Sequence, residues 1–264
     1  MSLFDFAVVM SKPASNREIK VEICANSIQS AINAEAGGAH RIELCENLEA
    51  GGTTPSYGTI KATIAKISLP VHVLIRPRPG GFCYTDDELE IMKHDIQVAK
   101  ELGAEGVVLG VLSREGTVDV LRTRELVLLA KQKPNGLGVT FHRSFDEVAG
   151  DPVTTLEDVI STGCNRLLTS GMHATAEEGI SMLKKLKEKS GGRMAIMPGR
   201  GVTPGNAPTI LNATELTEIH ASAASQIVGS EIGLSAMGST PVTTRAETVK
   251  AIVDAIEEHC SFTV

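Results

Sequence analysis

Eight short apolar runs recur along the chain, and longer helical patterns lie between them. The runs cover residues 20–24, 41–45, 71–76, 106–112, 138–143, 165–170, 193–197 and 217–221. Their starts are 21 to 35 residues apart, close to the roughly 30 residues that one strand–helix unit requires. Eight parallel strands are also the number that closes a barrel. The pattern therefore predicts one (β/α)8 TIM barrel over residues 20–264, preceded by an N-terminal arm at 1–19; an open doubly wound sheet is the alternative.

The segments between the runs begin with residues that favour helix N-termini. Three of them combine a capping side chain with a following proline, at Thr54, Asp151 and Thr203. Three others have the Thr-x-x-Glu spacing of a capping box, at Thr85, Thr175 and Thr244. Six of the helices thus have a predicted start. Residues 223–243 show no strand–helix pattern, and we predict a long loop there.

Composition excludes several classes of partner. The 264 residues have a formal net charge of -7 and a pI near 5.6, with no dense run of lysine or arginine. We therefore expect no nucleic-acid partner. No segment reaches 18 uninterrupted apolar residues, and the first ten residues contain Asp5 and lack a basic start. These features predict no membrane span and no secretory signal, and so a cytoplasmic protein.

Polar side chains lie at the ends of six predicted strands, where barrels of this kind carry their chemistry. The catalytic candidates among them are Glu22, Glu43, Arg76, His142 and Arg143. Glu22 or Glu43 would act as a general base and His142 as an acid. Arg76 or Arg143 would orient the carboxylate or phosphate of a small substrate, as in a lyase or an isomerase. The competing interpretation is that these groups are salt-bridged scaffold residues.

Two cysteines stand at equivalent positions on the first two strands. Strand alternation places Cys24 on the same face as Glu22, and Cys45 on the same face as Glu43. Neighbouring strands lie about 4.8 Å apart, so the two thiols can meet. Soft thiolate ligands favour Cu(I), whereas core packing is the alternative role for free cysteine. The other cysteines have no such partner in the sequence and are expected to be packing or surface thiols: Cys83, Cys164 and Cys260.

A glycine-containing turn, Met-Pro-Gly-Arg-Gly at 197–201, follows the seventh strand and leads toward a helix start. Such turns expose backbone amides to anions, and barrels often bind phosphate after strands seven and eight. We therefore predict substrate-binding positions at Ser170, Gly199, Gly201 and His220. A plain tight turn without a ligand is the alternative interpretation.

Seven short motifs follow one another in unbroken order between about residues 21 and 223. They are VEIC at 21–24, RIELC at 41–45, GGTTPS at 51–56, IRPR at 75–78, TFHR at 140–143, LTSG at 168–171 and MPG at 197–199. Together these motifs resemble those of the CutC copper-homeostasis family. The resemblance implies a cytoplasmic barrel, often a homodimer, with a role in copper handling and no defined reaction. It also implies that the copper ligands are Cys24 and Cys45.

One position departs from the family pattern. The family usually has three glycines after Met-Pro, whereas this chain has Arg200 at the middle position. A side chain there either blocks the close approach of an anion or adds a positive donor. The departure therefore weakens the phosphate interpretation of this turn.

Overall fold

The computed structural model describes residues 18–226 and 242–261, with the side chains of 18–225 and 242–258. Most of the predicted N-terminal arm, the central part of the predicted loop at 223–243 and the Cys260 thiol lie outside the described residues. Within the described ranges, no helix is both long and apolar enough to cross a membrane.

Eight parallel strands form a nearly closed barrel. They are β1 (Lys20–Ala25), β2 (Arg41–Leu44), β3 (Val71–Leu74), β4 (Gly106–Leu109), β5 (Gly138–Phe141), β6 (Arg166–Thr169), β7 (Ala195–Pro198) and β8 (Glu218–Ala221). Each strand pairs with the next from β1 to β7, β8 pairs with β1, and β7 lies beside β8. This confirms the predicted (β/α)8 barrel and excludes the open doubly wound sheet, in which the outer strands would lie far apart.

Helices alternate with the strands along the chain. The described residues contain α1 (Ile28–Ala36), α2 (Tyr57–Ile64), α3 (Asp86–Glu101), α4 (Val120–Lys131), α5 (Pro152–Thr162), α6 (Ile180–Ser190), α7 (Ala207–Thr214) and α8 (Ala246–Ser261). Two short 3-10 turns, Leu48–Ala50 and Arg143–Glu147, follow β2 and β5. These turns lie at the carboxyl ends of the strands and help to shape the mouth of the barrel.

Two of the predicted helix starts are confirmed. The Asp151 carboxylate accepts hydrogen bonds from the backbone amides of Val153 and Thr154 at the start of α5. Thr85 and Glu88 form a complete capping box at the start of α3. In both helices the capping side chain is close in sequence to the amides that it satisfies, so local spacing was a sufficient signal.

Two other helices begin later than predicted, because tertiary contacts occupy the expected capping residue. The Thr54 hydroxyl accepts a hydrogen bond from the Arg76 amide, and α2 begins only after Ser56. The Thr244 hydroxyl lies 3.2 Å from the carbonyl oxygen of Cys24, and α8 begins at Ala246. Neither long-range contact has a signal in the local sequence.

The predicted starts at Thr175 and Thr203 are also too early. The Thr175 hydroxyl accepts from the Glu178 amide in a turn that precedes α6, which begins at Ile180. The Thr203 amide donates to the Asn206 side chain, and α7 begins after that asparagine. In both cases the capping signal in the sequence marks an isolated turn ahead of the helix.

The predicted loop at 223–243 contains a short antiparallel pair, which corrects that prediction. β9 (Ala224–Gln226) pairs with β10 (Val242–Thr244), and β10 also contacts β1. Valine and threonine favour strands, but two strands of three residues each are too short to show a periodic pattern. The pair packs against the barrel at β1.

The interior of the barrel is more polar than the layer around it. Most buried apolar side chains belong to the large cluster in which the strands and helices pack together. A much smaller apolar cluster comprises Cys24, Cys45, Leu74 and Val108. Barrels of this kind usually fill the interior with branched apolar residues. Here ionisable groups take much of that space, so the strands place a polar site along the barrel axis.

Gly106 on β4 lies against the His72 ring on the neighbouring strand β3. A β-carbon at Gly106 would lie 2.6 Å from two atoms of that ring, and His72 is itself buried. We expect Gly106→Ala to lower the free energy of unfolding by about 1–3 kcal/mol, because an overpacked interior forces neighbouring groups out of position. Urea unfolding followed by circular dichroism measures the change.

Gly58→Ala is the matched control for that substitution. Gly58 is exposed on α2, and the nearest atom to an added β-carbon, the Ser56 hydroxyl oxygen, lies 3.9 Å away. Alanine favours helix, so this variant should match the parent or gain about 0.5 kcal/mol. A Gly106→Ala protein as stable as the parent would show that the barrel interior yields easily around His72.

Candidate functional site

A cavity of about 570 Å³ opens at the carboxyl ends of the strands. Its wall contains seven of the residues that the sequence predicts for the site: Cys24, Glu43, Cys45, Arg76, His142, Arg143 and His220. The wall also contains the acidic residue Glu147, the backbone of residues 50–52 and 80, and four large apolar side chains: Leu48, Leu74, Phe82 and Leu168. Four predicted site residues do not line it: Glu22, Ser170, Gly199 and Gly201. The strand ends therefore bring together most, but not all, of the candidates.

Glu22 lies one layer below the cavity, contrary to expectation. In register it stands opposite Arg41 on β2 and His220 on β8, and it is fully buried. The Arg41 guanidinium donates to Glu22 through Nε and to Glu218 through Nη2, the latter at 2.7 Å. Arg166 pairs with Glu218 from the other side. Because Glu22 is part of this ion-pair network, it supports the cavity floor and has no direct access to a substrate.

His220 connects the ion-pair network to the cavity. Its Nδ1 lies 2.7 Å from Glu22 Oε1, and its Nε2 lies 3.4 Å from Glu43 Oε2. Burial alone would lower the pKa of His220, but contacts with the Cys24 thiol and with these two carboxylates hold it well above its usual value. Burial would raise the pKa of Glu22, yet the hydrogen bond with His220 and the charge of Arg41 hold it well below 4.5. A carboxylate–imidazolium pair therefore lies beneath the cavity.

Glu43 is a buried carboxyl group in the cavity wall. Desolvation by burial raises the pKa of Glu43 to about 7, against the opposing charge of His220. A carboxyl group with a pKa near neutrality can both accept and release a proton at physiological pH. Of the two carboxylates predicted as general bases, Glu43 has the access and the pKa that the role requires.

The sulfur atoms of Cys24 and Cys45 lie 3.5 Å apart. The two residues are not directly opposite each other, because Cys24 is in register with Glu43 and the Cys45 amide donates to the Ala25 carbonyl. The stagger of the barrel strands therefore makes the sulfur contact a diagonal one. The contact with Cys45 and burial raise the pKa of the Cys24 thiol well above its usual value. The expected adjacency of the two thiols is present.

Three different ligand types meet beside the cysteine pair. The Cys24 sulfur, a Glu43 carboxylate oxygen and a His220 ring nitrogen all lie within 4.8 Å of one another, and all three residues are buried. Thiolate, carboxylate and imidazole groups each bind metal ions in proteins. This part of the cavity therefore has the donor atoms of a metal site.

Arg76 follows β3 and is held in the cavity wall by loop carbonyl groups. Its Nη1 donates to Ala50 at 3.2 Å and to Gly52 at 2.6 Å, and its Nη2 donates to Gly80 at 2.7 Å. The Phe82 ring centre lies 5.0 Å from the guanidinium carbon. The loops after β2 and β3 thus fix a positive charge at the mouth.

His142 and Arg143 follow β5, and both reach the cavity wall. His142 Nδ1 accepts a hydrogen bond of 3.2 Å from the Ser144 amide. Burial, together with the charge of Arg76, lowers the pKa of His142 to about 3, so the ring is neutral at physiological pH. Arg143 begins the 3-10 turn and pairs with Asp146 at 3.0 Å. The turn explains how two consecutive residues line one cavity although strand alternation would separate them.

Ser170 takes part in loop structure below the cavity wall. Its hydroxyl oxygen lies 3.0 Å from Asp146 Oδ2 and 2.7 Å from the carbonyl oxygen of His173. Asp146 also accepts hydrogen bonds from the amides of Ser170 and Met172. Asp146 therefore ties the turn after β5 to the loop after β6. The sequence pattern did not single out Asp146; its spacing of three from Arg143 is the signal that could have found it.

The glycine turn after β7 lies outside the cavity wall. A β-carbon at Gly199 would lie 2.6 Å from the Leu168 side chain and 3.3 Å from that of His220, so Gly199 serves close packing. Gly201 and Arg200 have φ angles of 71° and 85°, a left-handed conformation that favours glycine. Arg200 thus adopts the backbone of a glycine position. The predicted anion site in this turn has no counterpart in the cavity.

Comparison with known proteins identifies the family of this chain. The model of the CutC family matches residues 19–225. That range includes all eight barrel strands and every residue of the cavity wall. The chain belongs to the CutC family.

Relatives of this CutC chain match most of its length. A CutC family protein of Chromobacterium violaceum is 44% identical over 247 residues, which cover 90% of this chain and 98% of the relative. The human copper homeostasis protein cutC homolog is 45% identical over 205 residues, which cover 78% of this chain and 73% of the relative. The crystal structure of CutC from Streptococcus agalactiae is 34% identical, with a TM-score of 0.72 and coverage of 77% of this chain and 98% of that one.

Proposed function

We propose that this CutC chain binds Cu(I) through Cys24 and Cys45 as part of a role in copper homeostasis. The observation that carries the proposal is the contact between two buried sulfur atoms at 3.5 Å. Thiolates are soft ligands and select Cu(I) over hard cations. The human and mouse relatives are both named copper homeostasis protein cutC homolog, which supports the choice of metal.

The sulfur geometry fits a single metal ion, which would be cargo for this protein. Two sulfur ligands bonded to one ion at about 2.3 Å each lie at most about 4.6 Å apart. The 3.5 Å separation of Cys24 and Cys45 falls within that limit. Glu43 and His220 have ligand atoms within 4.8 Å of the Cys24 sulfur. The cysteines would supply selectivity for copper, and the two harder ligands would lie beside the ion.

Replacement of both cysteines should abolish tight binding of Cu(I). Reduced protein titrated against a calibrated Cu(I) chelator should bind one ion per chain. Substitutions in the outer shell of a metal site already cost about 10- to 100-fold in affinity. The Cys24→Ser, Cys45→Ser double variant loses both sulfur ligands, so we expect its affinity to fall by more than about 100-fold.

The matched control is a Cys83→Ser, Cys164→Ser double variant. It removes the same number of thiols, one exposed and one buried, and neither lines the cavity. This control should bind Cu(I) as the parent does, and circular dichroism should show both variants folded. Unchanged affinity in the Cys24→Ser, Cys45→Ser variant would place the copper site elsewhere and leave this pair as core packing.

A second candidate function is acid–base catalysis of the lyase or isomerase type on a small anionic substrate. The observation that favours it is the chain of contacts from Glu22 through His220 to Glu43, at 2.7 and 3.4 Å. Enzymes often use an acid–base group that a second group orients and a third group holds in place. Here Glu43 would be the acid–base group, His220 would orient it and Glu22 would hold His220. Arg76 and Arg143 would orient the substrate anion from the same wall.

Cytoplasmic location remains a prediction from the sequence composition and the family resemblance, and assembly as a homodimer remains a prediction from the resemblance alone. Size-exclusion chromatography with light scattering distinguishes a homodimer from a monomer. Cell fractionation tests the location.

A further inference from the structure

We propose that the part of the cavity wall formed by Arg76 and His142 binds the carboxylate of a small organic acid. The proposal does not depend on copper binding; it rests on the anion site of the second candidate function and names the class of ligand that this site takes. Arg76 and His142 follow β3 and β5, whereas the cysteine pair belongs to β1 and the end of β2. The cavity would thus have a soft metal site on one side and an anion site on the other.

The first observation is a buried positive charge that no acidic side chain compensates. Arg76 is 5% exposed, and its three hydrogen bonds all go to backbone carbonyl groups, those of Ala50, Gly52 and Gly80. Among the residues that the structure describes, no carboxylate lies within 4.0 Å of its guanidinium group. A buried charge without a partner is costly. An anion in the adjacent cavity would supply the missing partner.

The second observation is a hydrogen-bond donor without an acceptor beside that charge. His142 Nδ1 accepts from the Ser144 amide at 3.2 Å and lies 3.0 Å from the Ser144 hydroxyl, which can donate to it as well. With Nδ1 as the acceptor of the amide, the neutral ring carries its proton on Nε2. In the described part of the chain, Nε2 is buried and has no hydrogen-bond partner. The Phe82 ring lies 4.8 Å from the His142 ring and 5.0 Å from the Arg76 guanidinium carbon. Both groups contact the same aromatic ring and line the same cavity, so they can contact the same ligand.

The guanidinium group of Arg76 has donors to spare. Three of its five N–H groups are used by the loop carbonyls. Its Nε and the Tyr84 hydroxyl are both buried and have no hydrogen-bond partner among the described atoms, and Tyr84 is outside the cavity wall. The anion site is therefore built from the Arg76 charge, its remaining Nη2 hydrogen and the His142 donor.

Charge balance favours a carboxylate over a phosphate. Arg76 contributes one uncompensated positive charge, and the charge of Arg143 is already paired with Asp146. The acidic Glu147 in the same wall repels a doubly charged phosphate more strongly than a singly charged carboxylate. The glycine turn after β7, whose amides would suit a phosphate, does not line the cavity. Apolar side chains at the same wall would contact the body of an organic acid: Leu48, Leu74, Phe82 and Leu168. A volume of about 570 Å³ lies within the usual range for small-molecule sites.

The experiment uses metal-free, reduced protein and three probes at constant ionic strength: isovalerate, its uncharged analogue isovaleramide, and inorganic phosphate. Binding is followed by amide chemical shifts in NMR titrations. Isovalerate should shift the signals of Gly52 and Gly80, whose carbonyls hold Arg76. We expect isovaleramide to bind about tenfold more weakly, because it lacks the charge that pairs with the guanidinium group. Phosphate should bind no more tightly than isovalerate.

Three variants test the assignment. Arg76→Lys retains the charge but loses the planar fork, and isovalerate affinity should fall about tenfold. His142→Asn keeps an acceptor near the Ser144 amide and shortens the donor arm, and affinity should fall about fivefold. Arg193→Lys is the matched control, because Arg193 pairs with Glu157 outside the cavity wall. It should bind isovalerate as the parent does.

Arg76→Lys alters a guanidinium group that holds two loops, so circular dichroism must first show it folded; His142→Asn carries the test if it is not. Equal affinity for isovalerate and isovaleramide would overturn the proposal. So would parental affinity in His142→Asn, or tighter binding of phosphate than of isovalerate. None of these results depends on copper, so failure here leaves the cysteine site standing.

Discussion

Arg41→Met should lower the free energy of unfolding by about 3–5 kcal/mol, because it breaks a buried ion-pair network from one side only. The Arg41 guanidinium contacts both Glu22 and Glu218, and its side chain is 8% exposed. After substitution, Glu22 keeps only His220 as a charged partner within 4 Å among the described residues, and Glu218 keeps only Arg166. The negative charges of these two buried carboxylates would then be only partly compensated, which destabilises the folded state. Equilibrium unfolding in urea at pH 7 measures the loss.

The control for this substitution is Lys250→Met, which removes the exposed ion pair with Asp254 at 2.7 Å. Exposed pairs contribute little, since water solvates both partners almost as well. This variant should unfold at the parental urea concentration. Arg41→Lys should fall between the two, because lysine keeps the charge but has no planar fork for two carboxylates. If Arg41→Met proved as stable as the parent, the buried network would contribute no more to the free energy of unfolding than an exposed ion pair does.

The barrel could be predicted from the chain because its signal is repeated. Eight apolar runs at nearly regular spacing are difficult to fit to another architecture, and all eight became strands. Helix starts were predicted less well because each depends on one side chain. Where that side chain has a local role, as for Asp151, the prediction holds. Where a distant backbone group forms a hydrogen bond with that side chain, as the Arg76 amide does with the Thr54 hydroxyl, the prediction fails.

The sequence predicted most of the polar side chains in the cavity wall, but it did not predict the position of each candidate residue along the barrel axis. Strand alternation indicates which residues face inward, and Glu22 does face inward. It does not indicate how far along the axis each residue lies, because that depends on the stagger between strands. Glu22 is opposite Arg41 and His220, a layer below Glu43. The stagger is a property of the closed barrel, so no single strand contains it.

The ion-pair network itself had a signal in the sequence. Arg41 lies two residues before Glu43, and Glu218 lies two residues before His220. The same alternation that places the later residue inside the barrel also places the earlier one there. Attention to strand ends alone therefore finds the cavity wall and overlooks the layer that supports it. The pairing of these charges still required the register of β1 with β2 and β8.

Affinity for Cu(I) should rise with pH. The thiolate is the form that binds the metal. The contact with Cys45 and burial hold the pKa of the Cys24 thiol well above its usual value. Below pH 8 Cys24 is therefore protonated, and binding as a thiolate must release at least one proton. Each released proton makes the apparent association constant rise about tenfold per pH unit, so release of the Cys24 proton alone gives an increase of at least about 100-fold from pH 6 to pH 8.

The direction of this dependence follows from the folded site and can be checked in two ways. Chelator competition at pH 6, 7 and 8, with the chelator calibrated at each pH, gives the slope. Calorimetric titration in buffers of different ionisation enthalpy counts the released protons directly. A slope near two would mean that a second group, the Cys45 thiol or the His220 imidazolium, also loses its proton when the ion binds. An affinity that does not change with pH would mean that Cys24 is not a ligand, because a thiol with a raised pKa cannot bind as a thiolate without releasing its proton.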